Sequence, residues 1–314
     1  MNAELKNAIK ATDSKAEYDT SAKRLLGQKS ILAHILVKTV DEFKGMDPKK
    51  VVDSIEGTPH IGTVPVEPGL TNAVSEKNGE RLVGFNTENG EVNEGLIRFD
   101  IVFYVRMKDG LSQIIINVEA QKDEPNGYEI LNRAIFYVSR LISSQKERDF
   151  ENSSYDDIKR VYSIWICMNM KENTMSYVHL TKEDLIGSYE WKGNLDLLNI
   201  IMIGLAKKLP EHDETYELHR LLGALLSQDL TVDEKLNIIG NEYDIPIEEN
   251  FRKDVSVMCN LSQGIKEDGI AIGEAGLIMK MYKNGFTAEQ IASATDKDIE
   301  EVKAIIAGKE PALA

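Results

Sequence analysis

The stretch Arg98-Phe-Asp-Ile-Val-Phe-Tyr-Val-Arg-Met107 and the stretch Leu111-Ser-Gln-Ile-Ile-Ile-Asn-Val-Glu-Ala-Gln121 decide the fold. Both are rich in β-branched or aromatic side chains, a composition that predicts two strands. Asp109-Gly110 stands between them and is the strongest short-range signal for a two-residue hairpin turn. The sequence therefore predicts an antiparallel hairpin.

The length of this turn fixes which residues face each other. With Asp109-Gly110 as the loop, Lys108 pairs with Leu111, and paired residue numbers add up to 219. Asp100 then lies opposite Glu119; a four-residue loop keeps that pairing, whereas an odd loop shifts it by one residue. Two carboxylates ~4.5–5.5 Å apart at Cβ repel each other unless something lies between them.

A divalent cation suits such a pair, because Mg²⁺ binds one or two carboxylates together with water and phosphate oxygens. Gln121 is two residues beyond Glu119, on the same face of the strand, where it can orient a water. The alternative is two exposed acids on a solvated face. The apolar residues Ile114, Ile115, Ile116 and Val118 argue against it, because a carboxylate on so apolar a strand needs a partner.

These residues resemble a known family. Glu94-Gly-Leu-Ile-Arg-Phe-Asp100 and Asn117-Val-Glu-Ala-Gln121 look like the active-site core of the PD-(D/E)XK nuclease superfamily. More narrowly, they resemble its transposase or Rpn-type recombination-promoting nuclease branch, in which a Gln replaces the usual Lys. The resemblance continues through Tyr128-Glu-Ile-Leu-Asn-Arg133 and Tyr137, then through Tyr162-Ser-Ile-Trp-Ile-Cys-Met-Asn169, and extends to the C-terminal tail.

The resemblance implies a DNA endonuclease that depends on Mg²⁺ or Mn²⁺ and acts in transposition or recombination. It implies that Asp100, Glu119 and the backbone carbonyl of Ala120 hold the metal ion. Gln121 would orient the water, although an uncharged Gln cannot act as a base. Glu94 and, more remotely, Glu42 are further candidates for the metal shell, with surface acids as the alternative.

A helix predicted over residues 128–147 bears on the same site. Arg133 and Tyr137 are four residues apart and share one flank of it. As a nuclease helix, it would direct Arg133 to a phosphate and Tyr137 to a hydrogen bond in the cleft. The alternative is an ordinary solvated flank. The buried stripe is predicted to hold Leu131, Ala134, Ile135, Val138, Leu141 and Ile142.

The other segments complete an α/β fold, a restriction-endonuclease-like mixed sheet flanked by helices with a small all-α C-terminal region. A strand over 161–168 suits a central position, and 175–180 and 195–203 extend the sheet. Helices are predicted over 30–43, with Ser30 as N-cap, and over 212–228 and 231–241. The predicted domains are an N-terminal helical segment (1–29), the nuclease domain (30–247) and a helical C-terminal region (248–314).

The C-terminal region resembles a helix-turn-helix. Asn284-Gly285 predicts the end of one helix, Thr287-Ala-Glu-Gln290 is a capping box, and Asp296 or Asp298 caps the last helix over 299–307. The last helix is too weakly basic to favour the major groove of DNA. A small packing or oligomerisation bundle is the preferred interpretation.

Composition limits the alternatives. No apolar run approaches the ~18 residues of a membrane span, and no signal peptide or nucleotide-binding loop is recognisable. Two cysteines, Cys167 and Cys259, predict reduced thiols of a cytoplasmic protein. With one site per chain, cutting both strands of DNA favours a homodimer.

The net charge of −15 opposes DNA binding, which usually leaves a basic footprint. Local clustering of basic residues, the metal ion or a partner protein would offset it. A non-catalytic interaction protein of the same fold, or a DNA-binding regulator acting through the C-terminal helices, are the alternative functions. The basic candidates for a DNA surface are Arg133, Arg140, Lys146, Arg148, Lys159 and Arg160.

Overall fold

The structure is a computed structural model that describes residues 18, 20–64, 75–77, 80–82, 99–106, 113–121, 129–146 and 149–308. It divides into two compact units. One is Ala22–Phe251, which contains the sheet, and the other holds the helices from Arg252 onward together with the N-terminal residues.

The elements follow one another in chain order. They are α1 (Lys29–Thr39), α2 (Pro48–Val51), β1 (His60–Val64), β2 (Ser75–Lys77), β3 (Glu80–Leu82), β4 (Phe99–Arg106), β5 (Gln113–Gln121), α3 (Ile130–Ser143), β6 (Val161–Met170), β7 (Thr174–His179), β8 (Leu198–Ala206), α4 (Glu217–Leu226), α5 (Val232–Asn237), α6 (Glu249–Lys283), α7 (Ala288–Thr295) and α8 (Ile299–Ile306). Short 3-10 helices include Asp41–Phe43, and a π-helix, Ile238–Glu242, extends α5.

A mixed six-stranded sheet organises the larger unit, in the order β1-β4-β5-β6-β8-β7. β4 pairs with β1 and with β5 antiparallel, whereas β5, β6 and β8 run parallel. β7 pairs antiparallel with β8 at one edge. The predicted strand over 161–168 is therefore central, and the two later segments extend the sheet as predicted. The mixed α/β fold is confirmed.

One face of the sheet packs against α3. Val102 and Tyr104 of β4, Val161 and Trp165 of β6, and Ile200 of β8 form a continuous core with this helix. β6 is buried along most of its length, which explains its apolar sequence on both faces. Helices α1 and α4 form a second layer, in which they pack on each other and α4 packs on β8.

The buried stripe of α3 differs from the predicted one. Ile130, Ala134, Tyr137, Val138 and Leu141 are buried, whereas Leu131 and Ile135 are exposed. The helix is apolar around more than half of its circumference, so two overlapping stripes satisfy the helical period. The sheet selects the stripe that places the Tyr137 ring against Trp165.

The start of α1 also corrects a prediction. Ser30 does not cap this helix; Gln28 is the N-cap, and its side chain makes no capping hydrogen bond. The last turn of the predicted segment is a separate 3-10 helix, Asp41–Phe43. Extended backbone at Val40 separates the two and places Glu42 outside the helix.

The C-terminal unit contains helices α7 and α8 and most of α6. The 35-residue α6 continues through Gly264 and Gly276 and ends just before Gly285, whose φ of +91° suits a residue without a side chain. The capping box at Thr287 and the Asp298 cap are both present, as predicted. Ile278, Ile291, Val302 and Ile305 form the core of the three helices. Within the described part of the chain, no helix is long and apolar enough to cross a membrane.

Candidate active site

The hairpin has the predicted register. Ile101 pairs with Val118 and Arg106 with Gln113, so paired residue numbers add up to 219 along the ladder. Asp100 precedes Ile101 in β4, and Glu119 follows Val118 in β5. One further step along the same ladder therefore sets these two strand positions opposite each other.

The neighbouring strand shows which face the site occupies. Glu119 lies beside Trp165 of β6, and Gln121 lies beside Cys167. Residues that are neighbours across adjacent strands share a face of the sheet, and alternate residues of one strand do too. The positions of Asp100, Glu119 and Gln121 therefore share the face that α3 covers.

On that face, α3 brings a cation to two aromatic rings. The Arg133 guanidinium lies 4.8 Å from the centroid of the Tyr137 ring and 5.4 Å from that of the Trp165 ring. Its Nη2 donates a hydrogen bond of 2.7 Å to the Tyr137 hydroxyl. The predicted pair, Arg133 and Tyr137, is therefore in direct contact, and Trp165 joins it as a third member.

The rings are themselves fixed in the core. Tyr137 is 7% exposed, and Trp165 is fully buried and donates its Nε1 hydrogen to Ser163 Oγ over 2.9 Å. Cation–π contacts contribute ~0.5–2 kcal/mol, depending on burial. The flank of Arg133 and Tyr137 is therefore not the solvated surface of the alternative interpretation.

The comparison with protein families decides the family. The model of the PD-(D/E)XK nuclease family transposase matches residues 83–256, more than half of the chain. The chain belongs to this family. No curated protein and no solved structure matches it.

The region matched to the PD-(D/E)XK nuclease family transposase includes both strands of the hairpin, α3 and β6. It thus contains the positions of Asp100, Glu119, Ala120 and Gln121 as well as Arg133. Glu94 is within the matched range but outside the described residues. Their assignment to metal binding and catalysis stays a prediction.

Glu42 lies on the other face of the sheet and is wrong as a candidate for the metal shell. It forms an ion pair with Arg160 and accepts a hydrogen bond of 3.2 Å from the Tyr162 hydroxyl. Tyr162 and Trp165 are three residues apart along β6, so their side chains point to opposite faces of the sheet. Burial is the main cause of the raised pKa of Tyr162.

Two of the predicted basic residues, Arg133 and Arg160, have their contacts on opposite faces of the sheet. Arg160 is committed to Glu42, away from the candidate site. The side-chain amide of Gln145 holds the backbone of Lys159. It donates a hydrogen bond of 2.9 Å to the Lys159 carbonyl and accepts one of 2.7 Å from the Lys159 N–H. Arg148 is outside the described residues. Of the predicted basic residues, Arg133 is the one whose described contacts lie beside the Glu119 position.

The donor set has the chemistry of a hard-cation site. Two carboxylate residues at opposed strand positions, with a backbone carbonyl between Glu119 and Gln121, offer only oxygen ligands, which Mg²⁺ prefers. Among the side chains that the structure describes, no three or more His, Cys, Asp or Glu are grouped to hold a metal ion. The prediction of a metal site therefore rests on the strand register.

Trp165 was missed by the sequence interpretation. It was seen only as part of an apolar strand and a family-like segment. A central parallel strand that pairs with the acidic strand must place one residue beside Glu119, and the structure shows that it is Trp165. The sequence pattern does not give the register of these two strands, because α3 and its loops separate them along the chain.

Proposed function

We propose that this chain is a Mg²⁺-dependent DNA endonuclease that hydrolyses phosphodiester bonds in transposition or recombination. The observation that carries the proposal is the register of the hairpin, which sets Asp100 and Glu119 opposite each other on the face that also holds Arg133. Membership of the nuclease family supports the chemistry.

Asp100, Glu119 and the Ala120 carbonyl would hold the metal ion. When bound, the ion would supply a Lewis acid that lowers the pKa of a water and neutralises charge on the phosphate. Gln121, two residues beyond Glu119, orients that water through its amide. The amide takes no proton, so Gln121 has no role as a base.

Arg133 binds a non-bridging oxygen of the scissile phosphate. Its guanidinium is held by the rings of Tyr137 and Trp165, beside the strand position of Glu119. A cation in this place supplies the positive charge that Gln121 lacks. Tyr137 is a positioning residue that acts through its hydrogen bond with Arg133.

The decisive experiment is a plasmid-nicking assay in Mg²⁺ or Mn²⁺ that compares the wild type with Asp100→Ala and Glu119→Ala. We expect cleavage that requires the metal ion and is lost in both variants. Cleavage by Asp100→Ala at the wild-type rate would overturn the assignment. Circular dichroism of each variant establishes that the fold is kept.

A second candidate is a non-catalytic interaction protein that keeps the nuclease fold. The net charge of −15 and the uncharged Gln121 favour it. Titration with Mn²⁺ separates the two functions, because the interaction protein should show no binding that depends on Asp100 and Glu119. A DNA-binding regulator is less well supported. In α8, Lys303 pairs with Glu300, and in the preceding turn Lys297 pairs with Glu274 and Glu301.

A further inference from the structure

β7 is an edge strand with an unusual surface. It lies at one end of the sheet order, and five of its six residues are exposed. Its sequence, Thr-Met-Ser-Tyr-Val-His, has no charged residue and no proline. Proteins normally protect an edge strand with charges, prolines or bulges, because its open N–H and C=O groups pair readily with another strand.

The connection from β7 to β8 adds apolar surface beside this edge. Leu185, Ile186, Tyr189 and Trp191 are 86%, 98%, 67% and 76% exposed. Large exposed apolar groups in one segment mark a binding surface rather than scattered surface residues. We call residues 174–195 the β7 edge surface.

The connection is ordered by its own polar bonds. Lys182 Nζ donates to the Tyr189 carbonyl over 2.9 Å and to Asp184 Oδ1 over 2.7 Å. The rings of Tyr189 and Trp191 meet edge to face with centroids 4.9 Å apart. The apolar groups are thus held in place before binding, which reduces the entropy lost on association.

This surface does not belong to the candidate active site. β7 ends with His179 beside Asn199, at the start of β8. Across the sheet, Glu119 and Gln121 lie beside Trp165 and Cys167 of β6. These two residues of β6 lie in turn beside Met202 and Gly204, which come later in β8. The connection after β7 therefore leaves the sheet at the end away from the catalytic positions.

The charges of the surface favour a protein over a nucleic acid. Four acidic residues and two basic ones lie in the connection: Glu183, Asp184, Glu190 and Asp196 against Lys182 and Lys192. A surface with an excess of acids repels phosphates. The exposed aromatic side chains are therefore suited to an apolar protein surface, in which Tyr and Trp are common.

We propose that the β7 edge surface binds a second copy of this chain, with the two β7 strands antiparallel about a two-fold axis at Tyr177. An uncharged strand meets its own copy without repulsion. Around this axis, residue numbers that face each other add up to 354. Lys171 and Glu172, which precede β7, then lie toward Glu183 and Lys182 of the second copy.

The surface supplies much of the apolar area that a dimer interface needs. An aromatic side chain buries ~150–250 Å², so the exposed Tyr189 and Trp191 with Leu185 and Ile186 offer on the order of several hundred Å². The strand edge, including Met175 and Tyr177, adds to this. A stable interface needs ~800 Å² from each partner.

Sedimentation velocity of the full chain over a range of concentrations tests the proposal. We expect a mass twice that of the 35.2 kDa chain for the wild type, and a monomer for Ile186→Asp and for Trp191→Asp. Both residues are exposed, so circular dichroism should be unchanged. Phe136→Asp, at an exposed residue of α3, is the matched control and should stay dimeric. A monomeric wild type, or a dimer that both surface variants retain, would overturn the proposal.

A cysteine at the axis tests the register. Antiparallel neighbours have Cα atoms ~4.5–5.5 Å apart, within reach of a disulfide. Oxidation of Tyr177→Cys should therefore give a covalent dimer, whereas Thr181→Cys should cross-link much less. Equal cross-linking by both variants would contradict an axis at Tyr177.

The dimer also has a consequence for cleavage, which rests on the proposed function. A dimer brings two sites to one DNA, so the wild type should linearise plasmid and Ile186→Asp should only nick it. If no chain cuts DNA at all, the nuclease proposal fails, while sedimentation still decides the dimer.

Discussion

The two faces of the central strand β6 hold similar residues with different consequences. On the α3 face, Arg133 lies against the rings of Tyr137 and Trp165, next to the Glu119 position. On the opposite face, Arg160 forms an ion pair with Glu42, which also accepts a hydrogen bond from Tyr162. Each face thus combines an arginine, a tyrosine and a glutamate.

The difference is what holds each arginine. A carboxylate neutralises Arg160, and the pair supports the join between β6 and the 3-10 helix after α1. Arg133 lies against the rings of Tyr137 and Trp165, which orient its guanidinium. An acid, a base and a tyrosine close together are therefore not evidence of catalysis. The arrangement on the α3 face suits phosphate binding, and the other suits structure.

The largest expected difference between the faces is in the two glutamates. Glu119→Gln should lower the cleavage rate by ~1,000-fold or more, since the loss of a metal ligand removes several kcal/mol of charge stabilisation and each 1.36 kcal/mol is a factor of ten. Glu42→Gln should leave the rate within about twofold. Single-turnover cleavage of a labelled duplex measures both.

Equal losses of activity in Glu119→Gln and Glu42→Gln would remove the distinction between the faces. Thermal unfolding of the two variants is the control, because Glu42→Gln breaks the ion pair with Arg160. We expect it to lower the free energy of unfolding by about 1.5–3 kcal/mol, as for other hydrogen bonds to charged groups.

The arginines provide the second comparison. Arg133→Gln should lower kcat/KM by ~100-fold, in line with the loss of one well-placed donor to developing charge. Arg160→Gln should keep its activity and lose stability instead, because it leaves the half-buried Glu42 without its cation. The measurement is steady-state cleavage combined with urea unfolding of each variant. If Arg133→Gln keeps full activity, Arg133 does not bind the phosphate, and another residue must do so.

Tyr137 tests how Arg133 is positioned. Tyr137→Phe keeps the ring on Trp165 but removes the oxygen that accepts from Arg133. We expect kcat to fall ~10-fold, with little change in KM. The free energy of unfolding should fall by about 1 kcal/mol, because the hydrogen bond is already present in the folded chain. A purely structural role for the hydroxyl would give the same loss of stability and leave kcat unchanged.

The sequence was sufficient to predict which residues of the hairpin pair, because the pairing depends on whether the loop has an even or an odd number of residues. An even loop at Asp109-Gly110 keeps Asp100 opposite Glu119, and the apolar run 114–118 identifies the strand. These signals are local. The strands β6 and β8 were recognisable for the same reason, since each is an apolar run that contains several β-branched residues.

The errors concern contacts between elements that are far apart in sequence. Glu42 reaches Arg160 on the face away from the site, and no local pattern shows on which side of the sheet α1 packs. The stripe of α3 was assigned from periodicity, but Leu131 and Ile135 are exposed because Trp165 selects the Tyr137 side. In both cases tertiary packing decides between local solutions of similar energy.

The smallest expected effect concerns the tyrosine of the structural face. Burial is the main cause of the raised pKa of Tyr162, whereas an unfolded tyrosine ionises near pH ~10. Above that pH the unfolded chain releases a proton that the folded chain retains, so the free energy of unfolding falls as pH rises, by up to ~1.4 kcal/mol for each pH unit. Tyr162→Phe should remove this part of the alkaline loss, although it also gives up the hydrogen bond to the Glu42 carboxylate, worth about 1.5 kcal/mol or more, at every pH. Urea unfolding at pH 8 and pH 11 separates the two effects.

Tyr162→Phe should be less stable than the wild type at pH 8, and this difference in the free energy of unfolding should shrink or reverse at pH 11. A difference that does not change with pH would mean that Tyr162 ionises equally well in the folded chain, and that this face is more open to water than the α3 face.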